Sequence, residues 1–208
     1  MYHLADVKMS HWDVDIRKLS ANALSKLVPI NTARSIEVLN DLLKECFNAN
    51  FVIRHGSVLC VAELMLGLVK CNCDLSSLST SPSTDKTVNI VPPPAPTDLV
   101  EQITGLVLNL DKSRLYRGRG GELMRQSSCL LIGNIAKSYL NFPIKTKVSL
   151  VEFLNECLRH PQEFIQEAAA DSLREFLFSY FSKSTVSATA TTTTTATDVD
   201  DDDVPTER

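Results

Sequence analysis

The sequence predicts an all-α fold, an α-solenoid of about three and a half helical repeats, and three observations carry that prediction. One pattern recurs four times: an apolar residue, a small residue four positions on, a small or apolar residue three further, then an apolar one. It falls at Ile16/Ser20/Ala23/Leu24, Ile53/Ser57/Cys60/Val61, Met124/Ser128/Leu131/Ile132 and Ile165/Ala169/Ser172/Leu173. Small residues at this spacing let neighbouring helices approach closely while the aliphatics fill the stack. The second observation is that the residue after the first apolar one is arginine in three copies, Arg17, Arg54 and Arg125, and Gln166 in the fourth. The third is composition: 44% hydrophobic residues with only seven glycines suits packed helices.

From Asp13 to Val28, Ile16, Leu19, Ala23, Leu24, Leu27 and Val28 recur at helical spacing, and Pro29 closes the run. Few residues precede this inner helix, so its outer partner is expected to be largely missing. Thr32 is placed to cap an outer helix carrying Ile36, Leu39, Leu42, Leu43 and Phe47. The inner helix of that repeat runs from Phe51 to Lys70 and is apolar almost all round, as expected where neighbours cover several faces. Residues 75–97 are rich in Ser and Thr and then in Pro, which predicts a disordered insertion. This insertion accounts for the one long gap between copies; without it the spacing is close to the roughly 40 to 47 residues of HEAT and armadillo repeats. An outer helix from Thr97 to Asp111, a basic glycine-rich turn and an inner helix from Glu122 to Leu140 make the third repeat. Pro143 to Leu158 and Pro161 to Phe181 make the fourth.

The expected organisation is thus HEAT/armadillo-type repeats over 1–74, the insertion over 75–97, repeats again over 98–183 and a disordered threonine-rich, acidic tail over 184–208. The pattern's start and stop are expected to leave apolar end faces and so to give self-association or marginal stability.

The net charge of −4 resides in the tail, through Asp198, Asp200, Asp201, Asp202, Asp203 and Glu207, so the body is about neutral. A neutral body provides no general field for nucleic acid or an anionic membrane, and neither is expected as a partner. The six cysteines sit mostly in apolar helical stretches and read as reduced thiols of a cytoplasmic protein. Cys71-x-Cys73 is too tight for a zinc knuckle, and no metal or other cofactor is expected. No run reaches the roughly 18 uninterrupted apolar residues of a membrane span, and the first ten residues do not form a signal peptide.

No Ser/His/Asp or Cys/His constellation is evident, so the function is sought in surfaces rather than in a catalytic pocket. Arg114, Arg117 and Arg119, set among Gly118, Gly120 and Gly121, can grip a phosphate or an acidic partner surface. The plainer reading is a turn between helices with solvated arginines and Tyr116 packed beneath. Arg17, Arg54 and Arg125 either form a ladder toward a partner or tie adjacent repeats internally. His11, His55 and His160, near the starts of inner helices, read as capping or packing residues. Trp12 reads as a packing residue before an interface anchor.

Three blocks point to a family: His11-Trp-Asp-Val-Asp-Ile-Arg-Lys-Leu-Ser-Ala-Asn-Ala-Leu24, then Ile53-Arg-His-Gly-Ser57 with Ala62-Glu63, then Tyr116-Arg-Gly-Arg-Gly-Gly-Glu-Leu-Met-Arg-Gln126. In order and separation they resemble part of the C-terminal half of the tubulin-specific chaperone D (tubulin-folding cofactor D) family, over about residues 2–181. The insertion and the tail depart from it. The resemblance implies a non-catalytic chaperone that binds β-tubulin and joins it to α-tubulin in a complex with tubulin cofactors C and E. It further implies a contribution to GTP hydrolysis by tubulin and an Arf-like small GTPase as partner. The alternative is a generic HEAT-repeat scaffold of another assembly.

Overall fold

The first three α-helices each begin just after a side chain that accepts from a free N–H of the first turn, Asp13, Asn31 and Asn50. The computed structural model describes residue 1, residues 3–73 and residues 99–182; the expected insertion and tail lie outside the described residues. Before the first α-helix, His3–Lys8 forms a π-helical segment, with the Met9 N–H donating five residues back to the Leu4 carbonyl at 2.9 Å. Helix α1 (Val14–Leu27) follows Asp13, whose carboxylate accepts from the Asp15 N–H. Helix α2 (Thr32–Glu45) follows Asn31, whose side chain accepts from the Arg34 N–H at 2.9 Å. The expected cap, Thr32, is instead the first helical residue, because its hydroxyl donates back to the Val28 carbonyl.

Helix α3 (Phe51–Lys70) is capped by Asn50 and is followed, just past its C-cap Cys71, by Asn72, whose φ of 57° is a left-handed helix ending that Asn tolerates. Helices α4 (Leu99–Lys112), α5 (Gly121–Lys137), α6 (Ile144–Leu158) and α7 (Glu163–Tyr180) complete the described residues, among which there is no strand. Helix α5 stops short of the expected Leu140. The Leu140 carbonyl accepts from the Tyr180 hydroxyl at 2.9 Å, a bond from α7 that takes over where the helical ladder leaves off.

The helices build a solenoid-like all-α stack. Helices α1, α3, α5 and α7 form one row, each packed on the next. The π-helical segment backs α1, α2 backs α3 and α6 backs α7, while α4 packs on both α5 and α6. The π-helical segment therefore occupies the place where the sequence leaves the first inner helix without a partner. Its Ala5 and the following Met9 are buried, and Ser20 of α1 donates to the Leu4 carbonyl. Contact here is backbone to backbone: a Cβ on Gly56 of α3 would lie 2.1 Å from the Met9 carbonyl oxygen.

Helix α3 is the spine of the row. By length and hydropathy it could cross a membrane, but 72% of its apolar window is buried inside the protein, between α1, α2 and α5. In α1 the buried stripe is Arg17, Ser20, Ala21 and Leu24, whereas Leu19, expected on the apolar face, is 66% exposed. The stripe rotates because Arg17 has carbonyls to reach inside the preceding turn.

Candidate partner-binding surface

Three of the four inner helices open with the same turn. The His11 ring Nδ1 accepts from the Asp13 N–H at 3.1 Å, the Asn48 side-chain oxygen from the Asn50 N–H at 2.8 Å, and His160 Nδ1 from the Gln162 N–H at 3.2 Å. A long side chain then reaches back from the first turn of the helix. Arg17 Nη1 donates to the carbonyls of His11 and Trp12 at 2.7 and 3.0 Å, and Arg54 Nη1 to those of Asn48 and Ala49 at 2.7 and 3.3 Å. Gln166 Nε2 donates to the His160 carbonyl at 2.6 Å. The bond spans six residues in all three, and it satisfies turn carbonyls that would otherwise lack a partner. Arg17 is 1% exposed and Arg54 is buried; they lie inside the turn rather than on a shared outer face.

Arg17 also ties two repeats together, since its Nε donates to His55 Nδ1 on α3 at 3.1 Å. That bond requires an imidazole with a free lone pair. Burial, with Arg17 and Lys18 nearby, lowers the His55 pKa to about 3 and so keeps the ring neutral. The corresponding Nε of Arg54 is buried without a partner. Phe51 lies between these groups, with the Arg17 and Arg54 guanidinium carbons 5.8 and 6.0 Å from its ring centre.

The third inner helix opens differently. Its turn runs from Ser113 to Gly120, with Arg114 at φ 57°, Gly118 at 81° and Gly120 at 86°. Gly120 has two reasons to be glycine: the positive φ, and the Phe51 ring, 2.5 Å from where a Cβ would stand. Tyr116 anchors the turn from below, donating to the Val107 carbonyl at 3.3 Å and sharing a 2.8 Å hydrogen bond with the Ser128 hydroxyl. Its ring packs on Phe153, with the Arg125 guanidinium 5.3 Å over it. Arg125 is therefore half-buried over an aromatic ring, where its counterparts reach turn carbonyls.

Above this anchor, Arg114, Arg117 and Arg119 are exposed. None of the ion pairs among the described residues involves them. The turn lies at the N-terminal edge of α5, where the helix dipole adds to the positive field. Three exposed arginines on a buttressed turn concentrate positive charge at one place on the surface.

A groove of about 380 Å³ runs between α5 and α7, with Leu130, Phe164 and Ala168 as apolar lining and Lys18, Lys137, Glu167 and Asp171 among its charged residues. Ser172 lines it too, but its hydroxyl donates to the Cys129 carbonyl at 2.6 Å and holds α7 to α5. Asn134 links α5 to α3 in the same way, donating to the Ala62 carbonyl at 3.1 Å and to Glu63. Among the described residues no group of three His, Cys, Asp or Glu side chains is placed to hold a metal ion. Four cysteines are buried and two half-buried; burial pushes the Cys60 thiol up to about 12, which leaves it an uncharged packing residue.

The inter-repeat roles of Asn134 and Ser172 escape sequence reasoning, although Ser172 belongs to the recurring pattern. The six-residue back-bond had a readable signal, a His or Asn six positions before Arg17, Arg54 and Gln166. Trp12, expected to pack, is 79% exposed, with its ring centre 5.4 Å from that of His11. The turn's contacts run through the Trp12 backbone, and this leaves its side chain outside.

No protein-family model matches the chain, and no solved structure matches it. Among curated proteins it is similar to the tubulin-specific chaperone D of Dictyostelium discoideum, at 25% identity over 134 residues. The match covers 64% of this chain and 8% of that much longer protein, and it marks a distant relationship.

Proposed function

We propose that this chain acts in tubulin folding, as a non-catalytic, cytoplasmic cofactor segment that binds β-tubulin. The observation that carries the reading is the 25% identity over 134 residues with a tubulin-specific chaperone. The fold supports it in kind, since a helical stack offers extended surface for a protein partner. In this reading the arginine turn, Arg114, Arg117 and Arg119, is the contact made by the exposed charges. Arg17 and Arg54 act from within by holding the turns in register, and Arg125 does so by bracing Tyr116. With tubulin cofactors C and E and an Arf-like small GTPase, the segment assists assembly of the α/β-tubulin dimer and promotes GTP hydrolysis by tubulin.

The test is direct binding of the full chain to purified β-tubulin and to the α/β dimer, followed by interferometry. Replacement of the three arginines by Glu is expected to weaken binding at least tenfold while leaving helicity unchanged. Unchanged affinity removes the arginines from the contact. Absence of binding to either tubulin species overturns the assignment.

A further inference from the structure

The arginine turn has an occupant of matching chemistry within its own chain. We propose that the aspartate run Asp198, Asp200, Asp201, Asp202 and Asp203 docks on Arg114, Arg117 and Arg119, and that this contact occupies the turn until another acidic segment displaces it.

Three observations carry the inference. First, the three guanidinium groups are exposed, project from one short turn and take part in none of the ion pairs among the described residues, so the turn is an unmatched positive site. Guanidinium forks suit carboxylates geometrically, and several adjacent pairs reinforce one another where a single exposed pair contributes little. Second, the aspartates are as concentrated as the arginines: five of them within six consecutive positions outweigh the chain's whole net charge of −4, against a body near neutrality. No second cationic cluster of this density occurs among the described residues.

Third, the tether is long enough. Tyr180 bonds the carbonyls of Ile135 and Leu140 near the end of α5, and Ser172 bonds Cys129 in its middle, so α5 and α7 run parallel. The last described residues of α7 and the turn before α5 therefore lie at opposite ends of neighbouring helices. A helix of this length spans about 27 Å at 1.5 Å per residue. The chain between Ser182 and Asp198 reaches up to about 50 Å when extended, at roughly 3.3 Å per residue. Linking the two sites covalently gives a local concentration on the order of millimolar, enough to populate a contact too weak to see between separate molecules.

This docking shares its site with the tubulin-binding reading but does not depend on it, and its test contains no tubulin. The probe is a fluorescein-labelled synthetic peptide of residues 196–208, with anisotropy measured against three full-length proteins. These are the natural chain, a variant with all five aspartates changed to Asn, and that variant with R114Q, R117Q and R119Q added. The Asn variant is expected to bind the peptide at least fivefold more tightly than the natural chain, because its turn is vacant. Adding the three Gln substitutions is expected to abolish binding, and R114K/R117K/R119K to retain part of it. Far-UV circular dichroism of each variant reports that the helices are intact.

Equal peptide affinity for the natural chain and the Asn variant overturns the proposal, as does binding that survives the Gln substitutions. No binding to the Asn variant at 50 mM salt overturns it as well.

Discussion

His55 is a base that the fold keeps neutral, and this has a pH signature. In the unfolded chain a histidine titrates near about 6.5, whereas in the native protein burial lowers the value to about 3. Between those limits the unfolded state holds a proton that the native state does not. Stability is therefore fully present above pH 6.5 and falls as the pH drops toward 3, by up to about 1.4 kcal/mol per pH unit. Urea midpoints measured from pH 7 to pH 4 should show this fall, and it should flatten in His55→Gln, which keeps an acceptor for Arg17 but does not titrate. An equal slope in the variant assigns the effect to other groups. Two glycines make a second contrast at this scale. A Cβ on Gly56 meets the Met9 carbonyl at 2.1 Å, whereas on Gly105 its nearest neighbour is 3.7 Å away. Gly56→Ala should cost about 2–3 kcal/mol by forcing the π-helical segment off α3. Gly105→Ala should gain up to about 1 kcal/mol from helix propensity. Thermal or urea melts that rank the two in the opposite order contradict this account.

Among the elements, α3 was legible to the residue because its run from Phe51 to Lys70 is almost continuously apolar and Asn50 gives it a cap. Helix α5 was legible in kind but not in extent, since it breaks before Tyr139, whose φ of 50° is a left-handed turn that apolar periodicity does not register. Helix α1 shows a different limit. Apolar periodicity put Leu19 inside, yet the buried position belongs to Arg17, whose partners are turn carbonyls that hydrophobicity does not count. For the candidate site, the arginine cluster and its solvation above a packed Tyr116 were readable, and the hydroxyl partners that hold Tyr116 there were not. Exposure depends on Tyr116 occupying the space beneath, through hydroxyl bonds to Val107 and Ser128. Tyr116→Phe should therefore cost about 1 kcal/mol and speed amide exchange in residues 113–120. Unchanged exchange there would show that ring packing alone holds the turn.

In the molecule as a whole, each repeat is stabilised only by its neighbours, so a cut at one seam should divide the stack. The α3–α5 seam is bridged by Asn134, which holds the Ala62 carbonyl and Glu63. Asn134→Ala should lose about 1–3 kcal/mol. Amide protection should then fall together across α5, α6 and α7 and much less in α1 and α2, as read by hydrogen-exchange mass spectrometry. A uniform loss across all helices would indicate a single cooperative unit in place of a chain of neighbours. The same turns that set the seams have a further effect on what the stack can become. Arg17, Arg54 and Gln166 grip main-chain oxygens, so the fold takes no account of the side chains beside them at Trp12, Ala49 and Pro161, all of which face water. A tryptophan, an alanine and a proline already fill equivalent places. Such positions can be exchanged one at a time, changing the chemistry of the protein's surface while the turns that carry them stay the same.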